Sequence, residues 1–267
     1  MKFVSPSKSI KRIQCEFWNY LKLINEDNPR DKTKNEVPID NLFTHFKNLH
    51  SKPTPTSSLK HEIFTLEDYK DNYNCLDEPF SLKEIENATK LLKSRKAPGS
   101  DRIRNEMLKT GLSYLKASIC KLFNLVLKCG FFPSTWCEGI ITPIYKSGDR
   151  SDPSNYRGIC INSCLGKLFT SVLNIRLQNH LIKENILHRA QIGFLPNHRT
   201  SDHIFALRTL IDKHVTHTSK GKLFTCFIDF KKAFDSIWHD GLCYKLLKNK
   251  IGGKFYDLIK PSKNRIF

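Results

Sequence analysis

Apolar positions along the chain fall into two periods, and the period changes where the elements change. "IDNLFTHFKNLH", residues 39–50, reads as one short amphipathic helix between two polar, linker-like stretches, "INEDNPRDKTKNEVP" and "HSKPTPTSSLK". From Ser81 the pattern sharpens. Ser81 with Glu84 three residues on is a capping box, and Ile85, Ala88, Leu91 and Leu92 then recur at helical spacing. Ala97-Pro98-Gly99 is predicted to stop this helix. "NEMLKTGLSYLKASICKLFNLVLKCG" reads as a second helical region that ends on Gly130, with Pro133 just beyond.

The period then falls to two. Residues 139–145 and 156–162 are β-rich and flank a polar loop with Gly148, Asp149 and Pro153, which predicts a hairpin with a long tip. Helical spacing returns in Leu165, Leu168, Phe169, Val172, Leu173 and Arg176, and again in Ile204, Leu207, Leu210 and Ile211. The apolar run 223–228, after Gly221, reads as a buried strand that ends on Asp229. "HDGLCYKLLKN" follows as a short helix. The order is helix, helix, hairpin, helix, helix, strand, helix, which is an α+β arrangement with no internal repeat.

Composition narrows the function classes. The chain has 267 residues, enough for one large domain or two lobes, and 39% are hydrophobic, which excludes a disordered chain. The formal net charge is +18, spread along the whole chain. Such a surplus points to a polyanionic partner, because Lys and Arg gain nucleic-acid affinity by neutralising phosphates; a basic solvated surface is the alternative. Nine cysteines stand without any CxxC pair, and no His or Cys near Cys160 and Cys164 completes a zinc set. They read as reduced thiols of an intracellular protein. The N-terminus, "MKFVSPSKSIKR", has no apolar h-region, and no apolar run approaches a membrane span, so the expectation is a protein neither secreted nor held in a membrane.

Four quoted stretches, in order, carry a resemblance. "APGSDRIRNEMLK" resembles a finger motif usually written APGPDGI. "PIYKSGD" with "SNYRGICINSCLGKLF" resembles a fingers hairpin. "QIGFLPNHRTSDHI" resembles a GF…R-S/T-x-D stretch, and "FIDFKKAFDSIWHDGL" resembles motif A of a palm. Over about residues 79–250 the chain is similar to the reverse transcriptase of non-LTR (LINE-type) retrotransposons. The resemblance implies a right-hand polymerase fold: helical fingers with a β-hairpin over residues 81–220, an incomplete palm containing motif A over 221–267, and a linker-like, partly helical region over 1–80. It implies RNA-templated DNA synthesis from dNTPs on an RNA template and a DNA primer, with two Mg2+ ions. The compartment would be nuclear or cytoplasmic.

The same resemblance assigns roles. Asp229 takes the place of a catalytic, metal-binding carboxylate. Two-metal nucleotidyl transfer needs ions about 4 Å apart, and rigid carboxylates suit magnesium. A strand-end aspartate capping the next turn is the structural alternative. Phe234, five residues on, corresponds to the aromatic under the incoming sugar that excludes a 2′-hydroxyl; the alternative is a core phenylalanine. Lys146 and Arg157, on the two arms of the hairpin, correspond to residues that grip the triphosphate; the alternative is a solvated basic loop. Apart from the resemblance, Lys93, Arg95 and Lys96, with Arg102, form a basic cluster that could meet RNA phosphates, each alone being otherwise a solvated charge, and Arg199 organises its loop or touches template backbone. Gln191, Gly193 and Phe194 read as structural, with Gly193 admitting a close backbone approach. Asp235 reads as a helix N-cap.

Two departures from the family pattern stand out. Arg102 occupies a position where the family usually has glycine, so it would be strained if the backbone there has φ > 0. No Asp-Asp dipeptide occurs anywhere, and the sequence stops soon after motif A. A truncated chain with little or no polymerase activity is therefore expected, the alternative being a non-catalytic RNA/DNA-binding fragment. The unpaired apolar strand 223–228 is expected to make the isolated chain aggregate.

Overall fold

The computed structural model describes residues 37–49, 75–216, 221–230, 233–234 and 237–260. Asp235 and most of the linker-like stretches lie outside them. The described chain is helical with one small antiparallel sheet, as the α+β reading requires.

Helix α1 spans Ile39–Leu49. After a short 3-10 turn at Cys75–Asp77, α2 spans Leu82–Leu91 and begins as its sequence dictates. Ser81 Oγ accepts from the Glu84 N–H at 3.3 Å, and Glu84 Oε2 accepts from the Ser81 N–H at 2.8 Å. The helix stops well before Pro98. The Leu92 N–H bonds to Thr89 O, and side chains of the next helix then take over the backbone. Asn105 Nδ2 donates to Lys93 O at 2.8 Å, Lys109 Nζ to Leu92 O at 2.9 Å, and the Arg95 N–H to the Glu106 carboxylate.

The second helical region is two helices, α3 (Asn105–Thr110) and α4 (Leu112–Cys129). They part at Gly111, since glycine is among the weakest helix formers. Gly130 closes α4 in the left-handed conformation at φ +71, with its N–H on Val126 O at 3.0 Å. Ser134–Cys137 forms a single turn, α5, which the sequence pattern did not show. Strands β1 (Gly139–Tyr145) and β2 (Tyr156–Asn162) form the predicted hairpin.

Helix α6, Cys164–Lys183, starts on Ser163, whose Oγ accepts from the Gly166 N–H at 3.2 Å. Its buried Leu168, Phe169, Val172 and Leu173 face the centre of the fold. There Phe169 meets Phe123, Phe132, Trp136 and Phe80, with ring centroids 4.9 to 5.9 Å apart. Such offset and edge-to-face pairs add to the burial itself. The core starts before Ser81, since Leu76 and Phe80 belong to it. It also takes in the last two helices, α8 (His239–Lys248) and α9 (Gly253–Ile259), through Cys243, Leu247, Phe255 and Leu258. Asp77 Oδ1 accepts from the Phe255 N–H at 2.7 Å at the start of α9. Phe255, Tyr256 and Leu258 of this helix are buried in the core.

Two expectations fail here. Helix α7 spans Thr200–Ile211 as predicted, but none of its residues is buried; Ile204 and Leu210 are exposed. Residues 221–230 form no strand. Phe224, Phe227, Ile228 and Phe230 stand exposed in irregular chain. An apolar run becomes a strand only when another strand supplies its ladder, and among the described residues the sheet has two strands, β1 and β2. No described helix is long and apolar enough to cross a membrane, and the eight described cysteines are free thiols.

Candidate nucleotide and nucleic-acid site

The hairpin register decides what its arms present. Ile144 lies opposite Arg157, and Thr142 opposite Ile159. One step past β1, the Lys146 N–H donates to Asn155 O at 2.9 Å. Side chains alternate across a sheet, so Ile140, Ile144 and Lys146 share a face with Arg157 and Ile159. The two cations are thus diagonal neighbours on one exposed face, beside isoleucines 41 to 53% exposed.

The opposite face holds the hairpin in place. A Cβ at Gly158 would sit 2.8 Å from Phe46 Cε1, so the glycine after Arg157 lets α1 pack down. Phe46, Leu42, Val37 and Tyr156 form a small core of their own there. The tip is tied by its side chains: Tyr145 Oη donates to Gly148 O at 2.6 Å, and Tyr156 Oη to Arg150 O at 2.8 Å. The Arg150 guanidinium lies 4.7 Å from the Tyr145 ring centroid. Asp149 accepts from the Ser151 N–H at 2.9 Å and from its hydroxyl at 2.7 Å, which together hold its carboxyl below the usual range. The cations therefore sit on an ordered platform.

Lys93, Arg95 and Lys96 are exposed on the loop that α3 pins down. That loop is anchored at the foot of the hairpin: a Cβ at Gly99 would lie 2.6 Å from the Ser163 backbone N, and Ser100 Oγ donates to Glu138 Oε2 at 3.1 Å. Arg102 has φ +56, the left-handed conformation anticipated from the departure at this position, and Arg95 has φ +59.

The remaining candidates are placed differently. Asp229 is exposed in the irregular stretch, not at the end of a buried strand, because the ladder that would bury it is not formed. Among the described residues no three His, Cys, Asp or Glu side chains gather into a metal-binding group. Arg199 caps α7, its N–H donating to Asp202 Oδ2 at 2.8 Å. Gly193 has open space around it, so no close approach explains it. Phe194 is not a structural core residue: it is 83% exposed and meets Phe234, itself 74% exposed, edge to face. Sequence reading missed this pairing, and only a phenylalanine set in a polar loop hinted at it.

The chain is similar to known proteins, with the family match running from the end of β1 onward. Residues 144–265 match the family described as reverse transcriptase (RNA-dependent DNA polymerase). A probable RNA-directed DNA polymerase from transposon BS of Drosophila melanogaster is 29% identical over 83% of this chain and 24% of its own length. The RNA-directed DNA polymerase from mobile element jockey of Drosophila funebris is 27% identical over 86% of this chain and 24% of its own. A retrovirus-related Pol polyprotein from type-1 retrotransposable element R2 of Popillia japonica is 31% identical over 63% and 22%. The chain spans about a quarter of the length of these relatives. These matches make the chain similar to the reverse transcriptases of non-LTR retrotransposons.

Proposed function

We propose that the chain supplies the fingers and the start of the palm of a right-hand polymerase that copies RNA into DNA. The fingers are residues 81–220, with Cys75–Asp77 and Phe80 packed on their core, and the palm begins at 221. The observation that carries the reading is the pairing of Lys146 and Arg157 on one face of an ordered hairpin. A triphosphate is gripped by such a pair: the guanidinium fork takes two phosphate oxygens and the ammonium adds a point charge. The adjoining isoleucines lower the local polarity and strengthen both contacts. Phe234 lies under the incoming sugar. Lys93, Arg95, Lys96 and Arg199 meet the phosphates of template and primer. The work is done inside the cell, in the nucleus or cytoplasm.

Asp229 offers the hard oxygen donors that magnesium takes. One carboxylate does not complete a two-metal site, and the described residues gather no further set. By itself, then, the 267-residue chain binds nucleotide and nucleic acid without extending a primer; its sequence holds no Asp-Asp pair. That same observation favours the second reading, a non-catalytic RNA/DNA-binding module.

The test is RNA binding across a salt series beside primer extension with an RNA template, a DNA primer, dNTPs and Mg2+. Affinity should fall with salt at a log–log slope of roughly −0.7 per phosphate contact on single strands. It should weaken in Lys93→Ala/Lys96→Ala and survive Asp229→Ala. Salt-independent or absent binding sinks the proposal. Extension that vanishes in Asp229→Ala would show a complete catalytic site and overturn the binding-only clause.

A further inference from the structure

Phe194 and Phe234 come from distant segments and meet with ring centroids 5.9 Å apart and planes at 89°. Neither ring is buried. Phe194 holds φ +62, a conformation that costs a bulky residue free energy. Its carbonyl accepts from Gln178 Nε2 at 3.2 Å, which ties the loop to α6. A ring this open contributes little hydrophobic stabilisation. Backbone strain spent on presenting an exposed aromatic belongs with function rather than with the core.

We infer that Phe194 is a positioning residue for sugar selection: it braces the Phe234 ring so that the ring stays a wall against a 2′-hydroxyl. This rests on the reading of Phe234 as the residue under the incoming sugar. A steric wall discriminates only if it cannot swing aside. A phenylalanine ring open to solvent reaches other staggered rotamers at small cost. The edge-to-face partner adds to the free energy of leaving the paired rotamer. The loop that carries Phe194 is thereby part of the nucleotide site, although it contributes no group to the reaction.

The experiment uses the full chain with Mg2+ and isothermal titration of dGTP and of GTP. The wild type is expected to prefer dGTP, and Phe234→Ala to lose the preference. Phe194→Ala should cut the preference ratio about fivefold, the factor to which an aromatic pair of ordinary strength converts. Its thermal midpoint should be unchanged, and Phe194→Tyr should keep the wild-type ratio. A wild-type ratio in Phe194→Ala, with the preference lost in Phe234→Ala, overturns the brace and leaves the nucleotide reading intact. Equal affinities in the wild type overturn both. A lowered midpoint in Phe194→Ala that Phe194→Tyr restores, with the ratio unmoved, makes the contact structural and overturns the inference.

Discussion

Arg176 is the sharpest test of how the fold is held together. Its side chain is 11% exposed, and its guanidinium reaches Glu84 with Nε at 3.0 Å and Nη2 at 2.7 and 2.9 Å from the carboxylate oxygens. It also donates to Leu76 O at 3.0 Å and to Glu78 O, and it lies 4.2 Å from the Phe80 ring centroid. One side chain thus joins α6, α2 and the segment 76–80. Arg176→Met keeps the aliphatic stem and removes every donor. Breaking a buried charge pair costs about 3 to 5 kcal/mol. Glu84 is 32% open to solvent and retains the Ser81 N–H, so the low end applies, about 3 kcal/mol. For a chain of this size that lowers Tm by roughly 6 to 12 °C. Thermal melts followed by circular dichroism at pH 7 would read it, with Glu84→Gln and the double variant closing a mutant cycle.

The pH dependence gives a second arm to this test. Burial pushes the Glu84 carboxyl up, but the Ser81 N–H and the Arg176 guanidinium outweigh it and hold the group below its ordinary 4.5. A depressed folded value contributes stability that is present above the unfolded value and lost as pH falls through the folded one. The wild type should therefore lose stability below about pH 4.5 more steeply than Glu84→Gln. A Tm loss under about 2 °C in Arg176→Met, with coupling near zero, would show an ordinary surface pair and refute the reasoning.

Two substitutions probe the loop that carries the basic cluster. Arg102→Gly relieves the left-handed backbone at φ +56 and should raise stability by about 0.5 to 1 kcal/mol, net of the extra freedom of an unfolded glycine; a lower melting midpoint would contradict the strain. Gly99→Ala places a Cβ 2.6 Å from Ser163 N and 2.8 Å from the Asn162 carbonyl carbon, backbone atoms that must shift, and should cost about 2 to 3 kcal/mol; a midpoint within about 2 °C of wild type would mean that the loop is not seated there.

What the sequence determined by itself was whatever short-range bonding decides. Ser81 and Glu84 form their capping box because the donor and acceptor lie three residues apart, and Gly130 ends α4 because glycine enters the left-handed region freely. The hairpin runs over the predicted residues, and its register puts Lys146 and Arg157 on one face, since both arms and the turn are local. The tertiary structure decided what distant chain must supply. Helix α2 ends at Leu91 because Asn105, Glu106 and Lys109 claim the backbone beyond it. Residues 223–228 have strand composition but no strand, since a ladder is made by a neighbour and not by propensity. Helix α7 has its apolar period, yet which face is buried depends on what packs against it. Phe194 and Phe234 meet across chain that no periodicity connects. Local hydrogen bonds and φ preferences can be read along a chain; long-range contacts are closed by the packing of the whole and leave no repeat to read.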